Sequence, residues 1–518
     1  MVQVEHNDQA TQRLLPAPGT VVVRLYRIGH GDCFLLAFGH DAGEPVYVLI
    51  DCGYKPGSPK FLDTTAAQVT ENLLLATGGY IHVVVVTHEH QDHVNGFTES
   101  NFEGIRFGQC WFAWTEDGGN PLANALRKRF KDRLQLLTKS RHTLAAAGDD
   151  GIVQRIDDFI AFEIGGESES INAAALDETL AAGEGTLSAN KRAMKLVRDL
   201  SEKEPLYLRP HTYPQRLPGL EKVRVYTLGP PEDEDLLHSL NPVGDEGYGQ
   251  EDRSFALGSR WGFFGAPLVG PNAEQGCESP FALRFRVPWD KALSEGAPID
   301  FWRKHYAVVP MSDACKATSG GEANEELHWR RIDRDWLHSA VDLALDMNND
   351  TNNGSLVLAF ELSPGGKVML FAADAQRGNW VSWSRGTWND GDREITAKDL
   401  LSRTILYKVG HHGSHNATLK GNLESDYANL DWMGQGEYAE EFTAMITAVR
   451  PWAETQKGWD HPLAAIKETL LEKTNGRVFQ TDTDVEDMQP RGSALAWKEF
   501  QLNVRGEKLF IDFIIHAD

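Results

Sequence analysis

Apolar positions in this chain fall in short, nearly unbroken runs that stop abruptly on polar or glycine-rich clusters. The clearest run is 81–86, where Val83, Val84, Val85 and Val86 are consecutive. A β-branched run without polar alternation predicts a strand buried on both faces. Runs at 20–26, 33–38, 46–50 and 105–114 predict further strands, the first two joined by a turn at Gly29-His30-Gly31-Asp32. Between them, 63–77 has helical spacing (Ala67, Val69, Leu73, Leu74, Leu75), with Asp63 or Thr64 as N-cap and a stop at Gly78-Gly79.

Past residue 115 the pattern changes. Segments 120–147 and 173–203 read as helices, and 207–210 and 222–228 as strands returning to a sheet. From 232 to 333 Gly, Pro, Asp and Glu are frequent and apolar periodicity is poor, which predicts an irregular insertion such as a lid. A short helix at 336–345 is followed by a hairpin of 356–362 and 368–371. Strands at 404–409 and 444–449 come next, then a helix at 463–473 with Pro462 at its first turn. Runs at 477–481, 493–502 and 509–516 close a sheet. The expected organisation is an α/β fold in two halves, 20–115 and 336–518, around an insertion at 116–335.

Composition narrows the partners. With 518 residues and 41% hydrophobic content the chain can bury a large core. Lys+Arg number 51 and Asp+Glu 75, a formal charge of −24, so nonspecific binding of nucleic acid through surface charge is disfavoured. A local basic groove or bound cations would be needed. Arg127, Lys128, Arg129, Lys131, Arg133, Lys139 and Arg141 could form such a face on 120–147, although a solvated helix surface is the better reading of them. Five scattered cysteines without CxxC spacing fit free thiols in a reducing compartment. The polar stretch 1–13 has no signal core and no run approaches membrane-spanning length, so a cytoplasmic protein with no membrane contact is expected.

The candidate chemistry sits where the valine run ends, at Thr87-His88-Glu89-His90-Gln91-Asp92-His93. Packed this closely, imidazoles and carboxylates call for a partner, and a divalent cation binds both. His88 and His90, two apart, can reach one cation from the same side of an extended segment. Asp92 and His93 can reach a second. Two further strand ends carry Asp51 and Asp374, and another ends in Gly410-His411-His412-Gly413-Ser414. His461-Pro462 precedes the helix at 463–473.

The H-x-H-x-D-H signature at 88–93 resembles the metallo-β-lactamase superfamily. Gly29-His30-Gly31-Asp32-Cys33, Lys408-Val409-Gly410-His411-His412-Gly413-Ser414 and His461-Pro462 are similar to motifs in the soluble hydrolase domain of ComEC-type competence proteins. The resemblance covers the first and last thirds of the chain. It implies an αββα sandwich with a dinuclear metal site, zinc first and manganese as the alternative. It assigns His88 and His90 to one metal, Asp92 and His93 to the other, and Asp374 to the bridge, with Ala373 standing where the family usually has glycine. Asp51 and Asp32 support the ligands from behind. Of His411 and His412, one ligates and the other serves substrate as a proton donor; the order His411 ligand, His412 substrate-facing is preferred and the reverse stays open. His461 falls to the second metal. The family often adds a histidine between the first motif and the bridging Asp. His142, His211, His238, His305, His328 and His338 lie in that interval, but none follows a convincing strand and none is expected to ligate.

A dinuclear hydrolase of phosphodiesters, with Asp92, His412 and Asp374 as its catalytic groups and water as nucleophile, is the first expectation. A nucleic-acid strand is one such substrate, against the grain of the acidic surface. A hydrolase of small esters, thioesters or lactams, and a metal-binding subunit without turnover that docks a protein partner or second copy through the insertion, are the alternatives.

Overall fold

The structure is a computed structural model that describes residues 13–40, 43–147, 150–165, 188–248, 301, 332–456 and 461–517. Two large mixed sheets organise it. The first contains β1 (Thr20–Tyr26), β2 (Phe34–Phe38), β3 (Val46–Ile50), β4 (Tyr80–Val86), β5 (Arg106–Ala113), β6 (Leu206–Leu208), β16 (Val504–Gly506) and β17 (Phe510–His516), in the order β16-β17-β1-β2-β3-β4-β5-β6. The second contains β7 (Gln215–Leu217), β8 (Leu220–Gly229), β9 (Val357–Glu361), β10 (Val368–Phe371), β13 (Thr404–Lys408), β14 (Thr443–Ile446) and β15 (Val478–Gln480), in the order β15-β14-β13-β10-β9-β8-β7. A separate hairpin joins β11 (Thr387–Asp390) to β12 (Arg393–Thr396).

The sheets pack face to face. Val23, Phe34, Val48 and Val85 of the first share one buried cluster with Val225, Phe360, Met369 and Met445 of the second. The outer face of the first sheet is covered by α1 (Ala66–Thr77), through Val69 and Leu73, and by another helix at Ala189–Asp199, through Met194 and Val197. Trp380, Leu400 and Ile466, from helices at Arg377–Trp383, Ala397–Ser402 and Ala464–Lys473, cover the second. Strands buried on both faces account for the unbroken apolar runs.

After α2 (Gln91–Val94), a helical group lies beside the sandwich: α3 (Pro121–Ala147), α4 (Asp150–Ile164) and, beyond an α5 at Ala189–Asp199, α6 (Ile332–Asn353). Leu134, Leu137, Ile152, Ile156, Ile160, Leu343 and Met347 form their common core.

Several expectations need correction. Residues 493–502 are a helix (Ala494–Leu502) rather than a strand: Ser493 Oγ accepts from Leu495 N, and Trp497 and Phe500, three apart, pack inward while Leu495 and Leu502 face solvent. The cap of α1 is Thr65, which accepts from Gln68 N, not Asp63 or Thr64. The helix expected at 336–345 runs to Asn353, because its final asparagines are paired: Asn353 Nδ2 donates to Leu236 O and Leu237 O at 2.8 Å each. Tertiary hydrogen bonds there override weak helix propensity. α4 has no counterpart in the sequence reading. The helical expectation at 173–187, much of the irregular stretch from 249 to 331, His305 and His328, and Cys277 and Cys315 lie outside the described residues, as does the side chain of His338. Cys33, Cys52 and Cys110 are free thiols. Among the described residues no helix is long and apolar enough to cross a membrane.

Candidate metal centre

Four strands deliver the site at their C-terminal ends. β3 runs parallel to β4 and β10 parallel to β13, so each pair ends on one side. Asp51 follows β3, Thr87 and His88 follow β4, Asp374 follows β10, and His411 and His412 follow β13. The sheets are stitched together there by Leu356 N donating to Thr87 O at 2.9 Å.

Close backbone packing fixes the loops. Asp32 N donates to Asp92 O (3.0 Å), Cys52 N to His93 O (2.9 Å) and Gly53 N to Asp32 O (3.0 Å). A Cβ on Gly53 would stand 2.4 Å from Asp92 C and His93 N, so only glycine allows this approach. Strain gathers at the same place. Among the described residues seven non-glycines have positive φ, and four of them, Asp51 (55°), Ala373 (47°), His411 (44°) and His412 (53°), are at the site.

Asp374 is the hub. Its Oδ2 lies 3.2 Å from His93 Nε2, 3.7 Å from His412 Nε2, and 3.9 Å from each of His88 Nε2 and His411 Nε2. Asp92 Oδ2 is 3.2 Å from His412 Nε2 and 3.3 Å from Lys55 Nζ. Asp92, His93, Asp374 and His412, all buried, each present one ligand atom within 4.8 Å of the others, a grouping that could hold a metal ion. The fit is chemical as well as geometric. The donors are carboxylate oxygens and imidazole nitrogens. Buried Asp92 Oδ1, His93 Nε2 and Asp374 Oδ1 have no hydrogen-bond partner, an unusual concentration for a folded interior.

A second buried grouping lies behind the first: Asp32, Asp51 and His93. Asp51 accepts from Thr87 N at 2.8 Å and Thr87 Oγ1 at 2.6 Å, and meets His93 Nδ1 at 2.8 Å. That contact turns Nε2 of His93 toward Asp374, the orientation a ligand imidazole needs. Asp32 instead pairs with buried Lys408, whose Nζ is 2.6 Å away and also donates to Ala373 O at 2.9 Å. On the other side of Asp374, His88 Nε2 is 3.1 Å from His90 Nδ1, and His88 Nδ1 is 3.2 Å from Ser355 Oγ.

Charge pulls these groups apart. Burial alone would lower the His93 imidazole, but Asp374, Asp32 and Asp51 outweigh it and hold it well above its usual value. Burial would raise Asp374 and Asp92, yet His93 and His412 at the first, and Lys55 at the second, hold both well below the carboxylate range. His88 goes the other way: burial, then His93 and His90, push it well down. Burial lowers His411 to about 4.

The structure thus brings Asp32, Asp51, His88, His90, Asp92, His93, Asp374, His411 and His412 together. His412, preferred as the substrate-facing group, sits inside the ligand grouping, its Nδ1 held by Thr447 Oγ1 at 2.9 Å. His411 is the more exposed of the two, 15% against 1%, and its Nε2 is 3.3 Å from Asn352 Nδ2. His461 is not part of the grouping; its ring stacks on His30 at 5.6 Å between centroids, 6.3 Å from His412. Of the interval histidines, His238 contacts Asp350 at 2.8 Å and His211 packs 4.9 Å from Trp388. Four contributors have no role assigned from sequence: Lys55 and Glu163, and His30 and Lys408, which stand inside the quoted motifs. Lys408 stands one residue before the Val409-Gly410-His411-His412 turn and was in plain view. Glu163 could be found only through α4, whose Ile152, Ile156 and Ile160 recur at helical spacing.

A cleft of about 120 Å³, partly open to solvent, begins at His88 and runs between α3 and the end of α6. Arg127, Arg129 and Arg133 line it beside apolar Leu126, Phe130 and Leu237. Arg129 and Arg133 pair with Glu234 and Asp350 at 2.6 Å each, whereas Arg127 donates to the carbonyls of Thr115 and Asp117. No family model matches the chain, and no curated protein matches it either.

Proposed function

We propose that this protein is a metal-dependent hydrolase of the metallo-β-lactamase type, acting on phosphodiesters with a pair of divalent cations, zinc first and manganese second. One observation carries the reading. The carboxylate of Asp374 meets imidazoles of both His88 and His93 although more than half the chain separates them, and buried Asp92 Oδ1 and Asp374 Oδ1 beside them have no hydrogen-bond partner. Asp92, His93, His412 and Asp374 would hold one cation; His88, His90 and Asp374 would hold the other. Such ions supply Lewis acidity and lower the pKa of water.

The protein's own groups do the rest. Asp51 and Thr447 fix the rings of His93 and His412, so each presents Nε2 to the centre. Lys55 and Lys408 balance the carboxylates of Asp92 and Asp32. His411, more exposed and held neutral by burial, is the imidazole placed to meet substrate, as acceptor rather than donor at neutral pH. This reverses the preferred order of the pair. Of the cleft guanidiniums, Arg129 and Arg133 are paired with carboxylates, which leaves Arg127, bonded to carbonyls, as the cation to meet an anionic substrate. A second reading, hydrolysis of esters or thioesters, is favoured by Leu126, Phe130 and Leu237 in the same cleft.

The test is metal analysis of the purified protein followed by a panel of aryl phosphodiesters, oligonucleotides, thioesters and lactams. Phosphodiester cleavage should be abolished by chelation, restored by zinc or manganese, and lowered in Asp374→Ala by more than about 100-fold, the most a supporting residue usually costs. Cleavage that survives Asp374→Ala overturns the reading; turnover of thioesters alone selects the second.

A further inference from the structure

The helix α4 ends against the metal motif. Glu163 is buried there, its side chain 1% exposed, and its Oε1 is 3.0 Å from His90 Nε2. The preceding residue, Phe162, packs against His90 with ring centroids 4.4 Å apart and planes tilted by 44°, and lies beneath Lys55 Nζ. The end of α4 is pinned from behind, since Asn190 Nδ2 donates to Phe162 O at 3.0 Å and Glu163 O at 3.1 Å. Glu163 Oε2 is buried without a hydrogen-bond partner.

We infer that Glu163 is a positioning residue for the metal centre, holding His90 so that Nδ1, not Nε2, faces the cation shared with His88. The inference rests on the metal-binding part of the reading above. An ionised carboxylate only accepts, so the proton between the two side chains belongs to His90 Nε2. The lone pair of Nδ1 is then directed at His88 Nε2, 3.1 Å away. Two nitrogens on a tetrahedral zinc at about 2.0–2.1 Å stand roughly 3.3 Å apart, so the pair is already near ligand spacing. A carboxylate behind a ligand imidazole fixes its tautomer and raises its basicity. Here that carboxylate comes from the inserted helices, outside the thirds of the chain that carry the motif resemblance, so the insertion is wired to the centre rather than merely covering it.

Zinc affinity of the full-length protein, by chelator competition, and the electronic spectrum of its cobalt(II) form test this in wild type, Glu163→Gln and Glu163→Ala. Affinity at the weaker of two sites should fall about 10-fold in Glu163→Gln and up to about 100-fold in Glu163→Ala. The cobalt spectrum should change, and thermal unfolding of the metal-free protein should shift far less in Glu163→Gln than in Glu163→Ala. If Glu163→Ala does not fold, Glu163→Gln decides alone. Affinities within about twofold of wild type with an unchanged cobalt spectrum overturn the inference while leaving the hydrolase reading intact. Metal binding sensitive to Glu163 without turnover of any substrate does the reverse. A wild-type protein that takes up no divalent ion ends both.

Discussion

The two flanks of Asp374 are built differently. On one, His93 and His412 are set among Asp32, Asp51 and Asp92, with Lys55 and Lys408 as counter-charges. On the other, His88 and His90 face each other, backed by Ser355 and Glu163. The first flank is charged and cross-braced without any ion, since a protonated His93 answers its carboxylates. The second has His88, pushed down by burial, beside His90 and a single carboxylate, that of Glu163. Stability and metal capture should therefore be unequally shared: the first flank supports the fold by itself, and the second depends more on its ligand.

The sharpest break of that contrast is a pair of alanine substitutions in the metal-free protein. His93→Ala removes the one imidazole shared by three buried carboxylates, Asp32, Asp51 and Asp374, and should cost about 3–5 kcal/mol. His88→Ala removes an uncharged hydrogen-bonding ring and should cost about 1–3 kcal/mol. Denaturant unfolding of both variants measures the gap; equal losses would erase the distinction between the flanks.

A smaller effect is expected from pH. His93 is raised above its unfolded value, so its contribution is complete below about pH 6.5 and is lost as pH climbs through the folded value. Asp374 is lowered, so its contribution is present above about pH 3.8 and disappears as pH falls through its folded value. Melting temperature of the metal-free protein should thus decline on the alkaline side. Metal affinity should move oppositely, rising by about tenfold per pH unit while His93 must give up its proton, or about 1.4 kcal/mol per unit. Affinity that is flat from pH 6 to 8, with no proton release in weak buffer, would mean that His93 does not bind the ion.

The smallest effect is at Ala373. Its φ of 47° is a glycine conformation carrying a Cβ. Ala373→Gly should relieve local strain and lose chain entropy in similar amounts, leaving stability within about 1 kcal/mol and metal content unchanged. A large loss would show that the methyl group packs against something the strain argument neglects.

The contrast also explains what could be read from sequence. Residues of the charged flank, and His88 opposite them, stand at the ends of apolar runs, where periodicity breaks sharply, so Asp51, His88, Asp92, His93, Asp374 and the His411-His412 turn were visible. The same runs gave the strands of both sheets, because strands buried on two faces leave no ambiguity of alternation. What escaped reading depends on tertiary context. Ser493 to Leu502 reads apolar in either period, and only packing of Trp497 and Phe500 selects the helix. Glu163 is one acid among many until α4 is placed against His90. His461, legible as a motif, lies beside the grouping rather than in it, its ring stacked on His30 and 5.4 Å from that of His411.

One feature of the topology bears on how the molecule is made. In the first sheet β1 lies between β2 and β17, and its Arg24 forms a buried two-pronged ion pair with Asp512 at 2.7 and 2.8 Å. During synthesis β1 must therefore wait for a partner strand whose Asp512 lies 488 residues beyond Arg24. Contacts this distant in sequence form late and slowly. A nascent chain will spend that interval with β1 an open edge, dependent on chaperones or on speed to avoid pairing with a neighbour.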